Sequence, residues 1–237
     1  MKRPRTEPSV AMLTDGRVLI AGGDAKLTRG CELYDPATGQ WSDTGKMVHA
    51  RINFTLTTLK SGKVLATGND TAETELYDPV TGQWSVTDKL NHRRDGHSAV
   101  LLEDGRVLAG GGGAFEVGEL VSCEIYDPAT GRWSQTGDLN EAGVFQLPFT
   151  LLPGGDVLRT GGYHTIGNPK KINDHLSRAE RYSPATGRWT LLEPMSIARS
   201  GHRATRLKNG MVLITGGFYD DQTGADKVTD SAQLFIP

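Results

Sequence analysis

The octapeptide YDPATGQW at 34–41 returns as YDPVTGQW at 77–84, YDPATGRW at 126–133 and YSPATGRW at 182–189. Proline sets φ for a turn and glycine accepts its left-handed residue, so each copy is a tight reversal between two short strands. Upstream of every copy lies a Val-Leu pair ending in glycine: Val18-Leu19 to Gly22-Gly23, Val64-Leu65 to Gly68, Val107-Leu108 to Gly111-Gly112, and Val157-Leu158 to Gly161-Gly162. A fifth copy runs from Val212-Leu213 through Gly216-Gly217 to Leu234-Phe235. The tyrosines are spaced by 43, 49 and 56 residues, with 53 more to Phe235.

Each unit reads as four short strands, A to D. Strand A precedes a two-residue reversal at Asp15-Gly16, Ser61-Gly62, Asp104-Gly105, Gly154-Gly155 or Asn209-Gly210. Such pairs tolerate positive φ, so strand B folds back beside A. Strand B is the Val-Leu run, strand C holds the Glu-Leu-Tyr triplet, and strand D begins at tryptophan. One four-stranded unit cannot bury both faces, whereas several arranged around an axis can.

The doubled glycine, the tyrosine and the tryptophan at a period near 50 resemble the kelch repeat. The resemblance implies an all-β propeller over residues 1–237, with five blades at about 1–46, 47–89, 90–138, 139–194 and 195–237. The chain given ends at Pro237, equivalent to Pro36, so the last blade is expected to lack its outer strand and expose an edge, or else to belong to a larger propeller. Asn69 replaces a second glycine, and Phe235 replaces tyrosine.

In a four-stranded meander the D–A and B–C loops share one end of the ring. The B–C loops lengthen from Asp24–Leu33 and Asp70–Leu76, through Gly113–Ile125, to Tyr163–Arg181 and Phe218–Leu234. Long loops on a rigid scaffold are where binding residues gather. Phe115, Tyr163, Phe218 and Tyr219 follow the glycines there, with His164 beside Tyr163. They read either as contact surface at a pocket mouth or as covers of the inner end.

Aligned on the Val-Leu pairs, Arg5, Arg51, Arg94 and Arg199 share the slot before strand A, with Val144 in the fourth repeat. The resemblance implies that strand A lines the channel, so these guanidiniums would ring its mouth. Arginine suits carboxylate and phosphate, and kelch propellers that hold acidic peptides are similar here. An anionic ligand, an acidic peptide or a sugar acid, is the expectation. The structural alternative is a salt bridge to an acid of the adjacent blade. His97 and His202 share a mainly apolar slot and read as structural, as do the tryptophans and strand C tyrosines between blades.

Cys31 and Cys123 hold equivalent positions in non-neighbouring units, too far apart for a disulfide. A net charge of −2 gives no pull toward nucleic acid or an anionic membrane, and no apolar run reaches the roughly 20 residues of a membrane helix. The segment MKRPRTEPSVAML lacks the apolar region of a secretory signal, so the compartment is not indicated. No metal or cofactor motif is visible. Kelch-type enzymes resembling galactose oxidase need a Cys–Tyr pair and two histidines, and nitrile-specifier proteins need Glu-x-x-x-Asp-x-x-x-His; neither pattern occurs. Three readings follow: a binding module for a protein or an anionic or carbohydrate ligand, a sugar-handling enzyme of the sialic-acid mutarotase kind, or an assembly unit pairing through the open edge of blade 5.

Overall fold

In a computed structural model, the structure describes residues 1–23, 29–69, 71–114, 118–144, 147–164, 174–221 and 226–237. The repeat becomes five blades. Blade 1 is β1 (Ser9–Met12), β2 (Val18–Ala21), β3 (Cys31–Asp35) and β4 (Gln40–Asp43); blade 2 is β5 (Phe54–Thr58), β6 (Val64–Gly68), β7 (Glu75–Asp78) and β8 (Gln83–Val86). Blade 3 contains β9 (Ser98–Leu101), β10 (Val107–Gly110), β13 (Cys123–Asp127) and β14 (Arg132–Thr136). Blade 4 contains β15 (Phe149–Leu151), β16 (Val157–Thr160), β19 (Ala179–Ser183) and β20 (Arg188–Leu191). Blade 5 is the three-stranded sheet β21 (Arg203–Arg206), β22 (Val212–Thr215) and β25 (Ala232–Phe235). The expected five-bladed propeller, with its last blade short of an outer strand, is the architecture observed. All pairings within blades are antiparallel.

Three expected loops contain strands of their own. The long B–C connections fold into hairpins: β11 (Gly113–Ala114) with β12 (Gly118–Glu119), β17 (Tyr163–His164) with β18 (Asp174–His175), and β23 (Phe218–Asp220) with β24 (Asp226–Val228).

The blades meet through apolar faces, as alternation in the strands requires. Ala11, Leu19, Cys31 and Leu33 of blade 1 pack on Phe54, Val64, Tyr77 and Trp84 of blade 2. Equivalent clusters join blades 2 and 3 around Leu65, Val107, Tyr126 and Trp133, and blades 3 and 4 around Leu108, Cys123, Tyr182 and Trp189. A smaller one joins blades 4 and 5 around Leu158, Met195, Val212 and Ile214. Among the described residues no such cluster joins blade 5 to blade 1. Val10 and Met12, on the blade 1 face turned from blade 2, are 55% and 69% exposed, and Leu234 of blade 5 is 49% exposed. Tyr34 and Trp41 are therefore half-buried, whereas the other strand C tyrosines and strand D tryptophans are core as expected. Both cysteines are free and buried, and burial pushes their thiols up to about 12.

Close approach between blades explains the glycine pairs. A Cβ on Gly22 would lie 2.4 Å from the Arg51 carbonyl oxygen, and one on Gly161 would lie 2.4 Å from that of Arg199. Both also have positive φ, so glycine is required twice over. Asn69 takes φ of 73° in place of glycine, and its side chain accepts a bond from Ile52 N–H.

Candidate functional site

The arginine slot does not present its charges to a mouth. The whole residues Arg51, Arg94 and Arg199 have no exposed surface, and the Arg5 side chain is 2% exposed. Each of the first three blades spends its guanidinium on the glutamate of its own strand C triplet. Arg5 meets Glu32 at 2.8 Å, Arg51 meets Glu75 at 2.8 Å and Arg94 meets Glu124 at 2.9 Å. Other guanidinium N–H groups reach backbone carbonyls after strand B and before strand C, such as Gly22 and Gly30 for Arg5, and Gly111 and Ser122 for Arg94. The partner acid thus lies in the same blade rather than the adjacent one. A buried arginine whose charge is answered by a carboxylate of its own blade, with its terminal nitrogens bonded inside, has little left for a ligand. The expectation that this slot grips an anion is corrected on that ground.

The other glutamate oxygen accepts from the chain leading into strand A: from Lys2 N–H at 2.7 Å in blade 1, from Val48 N–H at 2.6 Å in blade 2 and from Asn91 N–H at 2.8 Å in blade 3. One carboxylate therefore pins the D–A loop to strand C. Burial pushes Glu32 up, but the Lys2 N–H and Arg5 outweigh it and hold its pKa below the usual range. Blade 4 has Val144 in the arginine slot and keeps the device differently: Arg159, on strand B, meets Glu180 at 2.9 Å. Burial lowers the pKa of Arg51 and Arg159, while their glutamates pull it back. In blade 5 the acid is replaced by Gln233, and Arg199 bonds to Gly216 O, Ser231 O and Ser231 Oγ; burial lowers its pKa.

The leading segments and the post-glycine hairpins do share a rim. Isolated bridges join Asp95 to Gly113, Val144 to Tyr163 and Ser200 to Phe218. Over blades 3 to 5 this rim gathers polar and aromatic side chains around the β17–β18 hairpin. On the blade 3 side His164 Nδ1 lies 2.5 Å from Glu119 Oε2 and its Nε2 lies 3.5 Å from Glu141 Oε1. Arg178 Nε donates to Glu141 at 2.7 Å; burial raises the Glu141 pKa, and the Arg178 bond with its charge brings it below the usual range. On the blade 5 side the Tyr163 ring lies 5.4 Å from that of His175. His175 Nδ1 is 3.0 Å from Ser200 Oγ, and its Nε2 is 2.9 Å from Asp226 Oδ1. Tyr163, His175, Ser200, Phe218 and Asp226 line an open, shallow cavity of about 220 Å³.

Of the expected site residues, Tyr163 and Phe218 therefore line one cavity, while His164 turns toward Glu119 and Glu141. Tyr219 sits on β23 opposite Lys227, outside that lining. Phe115 lies outside the described residues. Ser200 and Asp226 join the site without having stood out in the sequence. The available signal was variation: the position after the arginine slot is Thr6, Ile52, Asp95, Phe145 and Ser200 in turn, whereas scaffold positions repeat. His97 and His202 prove structural, bonded to Thr67 and Thr160 at 2.9 Å each. A second cavity, of about 380 Å³ and including Glu73, Lys89, His92 and Arg93 in its lining, has no aromatic face other than that histidine.

No family model matches this chain, and no curated protein matches it. Among solved structures the chain is similar to that of YjhT, with a TM-score of 0.77 and 14% sequence identity over 98% of this chain and 84% of that one. The likeness supports the five-bladed propeller fold, a scaffold for binding or catalysis, and goes no further.

Proposed function

We propose that this is a kelch-type propeller that binds a small ligand at the rim over blades 3 to 5. The observation behind this reading is Phe218, 47% exposed beside a cavity that also holds Tyr163, His175, Ser200 and Asp226. Its volume falls below the roughly 300–1,000 Å³ of drug-sized sites, which suits a single ring or side chain. Two aromatic faces beside a hydroxyl, an imidazole and a carboxylate suit a hydroxyl-rich ring, whose C–H face stacks while its O–H groups donate to the carboxylate. With the slot arginines engaged inside the blades, a saccharide fits this rim better than an acidic peptide. An acidic sugar would need its anion held by groups other than Arg5, Arg51 and Arg94. A glycan array, followed by calorimetry on any hit, tests the reading. Binding should weaken at least about tenfold in Phe218→Ala and in Tyr163→Ala, as loss of a ring contact worth roughly 1.4 kcal/mol implies. A saccharide bound equally well by both variants would place the site elsewhere.

A further inference from the structure

Ser200, His175 and Asp226 form a chain of contacts, Oγ to Nδ1 at 3.0 Å and Nε2 to Oδ1 at 2.9 Å. Three different elements supply them. Ser200 lies in the segment leading into β21, His175 in β18 and Asp226 in β24. All three line the same cavity, although Ser200 and His175 are largely buried. Their partners set the two histidine nitrogens apart. With Asp226 accepting from Nε2–H, Nδ1 is left with its lone pair directed at the Ser200 hydroxyl. That is the arrangement in which an imidazole removes a serine proton while a carboxylate fixes its tautomer and stabilises the imidazolium. The two nitrogens exchange roles relative to the serine-protease template, which leaves the proton-transfer chemistry unchanged. Such a set is recognised by geometry and roles rather than by its order in the chain.

We propose that Ser200 is a nucleophile activated by His175, with Asp226 as the positioning residue, acting on an acyl ester or a comparable electrophile held at this rim. In the acyl case Ser200 Oγ bonds to the carbonyl carbon as its proton passes to His175 Nδ1. The bond to the leaving oxygen then breaks, and that oxygen takes the proton from His175. Water, deprotonated by the same nitrogen, releases the acid and restores the serine. No oxidant or cofactor is consumed.

The test uses a small alkyl fluorophosphonate on the full chain, read by intact mass and peptide mapping. Ser200 Oγ forms a bond to phosphorus, fluoride departs and the proton leaves through His175. A single adduct on Ser200 is expected, absent in Ser200→Ala. His175→Ala should slow labelling about 100-fold or more, the usual contribution of a general base. Asp226→Asn should slow it, and Asp226→Glu should recover part of the rate, which loss of a merely structural contact would not produce. Circular dichroism and urea midpoints establish that each variant is folded. No adduct on the folded wild-type chain, or labelling indifferent to His175→Ala, overturns the proposal. Because the probe needs no saccharide, its result stands apart from the glycan test.

Discussion

Blades 3 and 5 are built from the same repeat and differ in what surrounds them. Blade 3 is packed on both sides: Val107, Tyr126 and Trp133 face blade 2, and Leu108 and Cys123 face blade 4. Its guanidinium and carboxylate, Arg94 and Glu124, lie 2.9 Å apart with no exposed surface. Among the described residues blade 5 shares a buried apolar cluster with blade 4 alone; it keeps a three-stranded sheet and has a glutamine where the carboxylate stands elsewhere. One sequence pattern thus supports two levels of cohesion. The difference shows that a repeat's stability resides in its neighbours as much as in itself, as expected where each unit buries a face only by stacking.

The largest test of that contrast lies in the tryptophans. Each caps its tyrosine with ring centroids about 5 Å apart, 5.2 Å for Tyr126–Trp133 and 5.0 Å for Tyr34–Trp41, so the local contact is alike in blades 3 and 1. Only the seam differs. Trp133→Ala should cost about 3–5 kcal/mol as a buried truncation, and Trp41→Ala about half of that, in proportion to the area it buries. Urea denaturation of both variants checks the ratio. Equal losses would mean that the open face of blade 1 contributes as much as a closed seam.

The imidazoles His97 and His202 mark the same boundary from within, since both stand at blade-to-blade contacts. Burial, then the charges of Arg94 and Arg51, lowers the pKa of His97 to about 3; burial, then Arg199 and Arg159, lowers that of His202 to about 4. A folded pKa below the unfolded value near 6.5 means that the unfolded chain binds the extra protons. Stability from these groups is complete above about pH 6.5 and declines as pH falls toward the folded values. Between pH 7 and pH 5 each should cost roughly 2 kcal/mol. Urea midpoints across that range, in the wild type and in His97→Gln with His202→Gln, check the slope; the double variant should be flatter.

Most of the fold could be read because its cause is local and repeated. Asp-Pro-Ala-Thr-Gly, the Asp-Gly type reversals and the glycine pairs each dictate a turn or a close approach wherever they fall. The rim was only partly legible. Tyr163 and Phe218 stood out by their place after the glycines, but Ser200 and Asp226 come together through hairpins that the pattern left as loops. The arginines point inward for a specific reason that the pattern hides. Their answering acid sits two residues before each strand C tyrosine, far along the chain, and alternation alone gave Glu32, Glu75 and Glu124 no special standing. Register supplies it: Glu124 lies opposite Ala109 on strand B, within reach of the guanidinium that enters beside Gly111.

That register makes blade 5 repairable. Gln233 Oε1 accepts from Ser196 N–H at 3.1 Å and Ser196 Oγ at 3.0 Å, the role that Glu124 Oε2 fills for Asn91. Its other terminal atom is an amide nitrogen, which donates and so gives Arg199 no acceptor. Gln233→Glu changes that one atom to an oxygen, keeps the bond to Ser196 and offers Arg199 the carboxylate that Arg94 already has. Since both members of the pair would be in place without added volume, the gain should be about 1–2 kcal/mol, the scale of a hydrogen bond to a charged group. The substitution belongs in a urea series beside Gln233→Ala, which loses the Ser196 contact and should be less stable than the wild type. A Gln233→Glu variant no more stable than its parent would show that the missing seam, rather than the missing charge, limits blade 5.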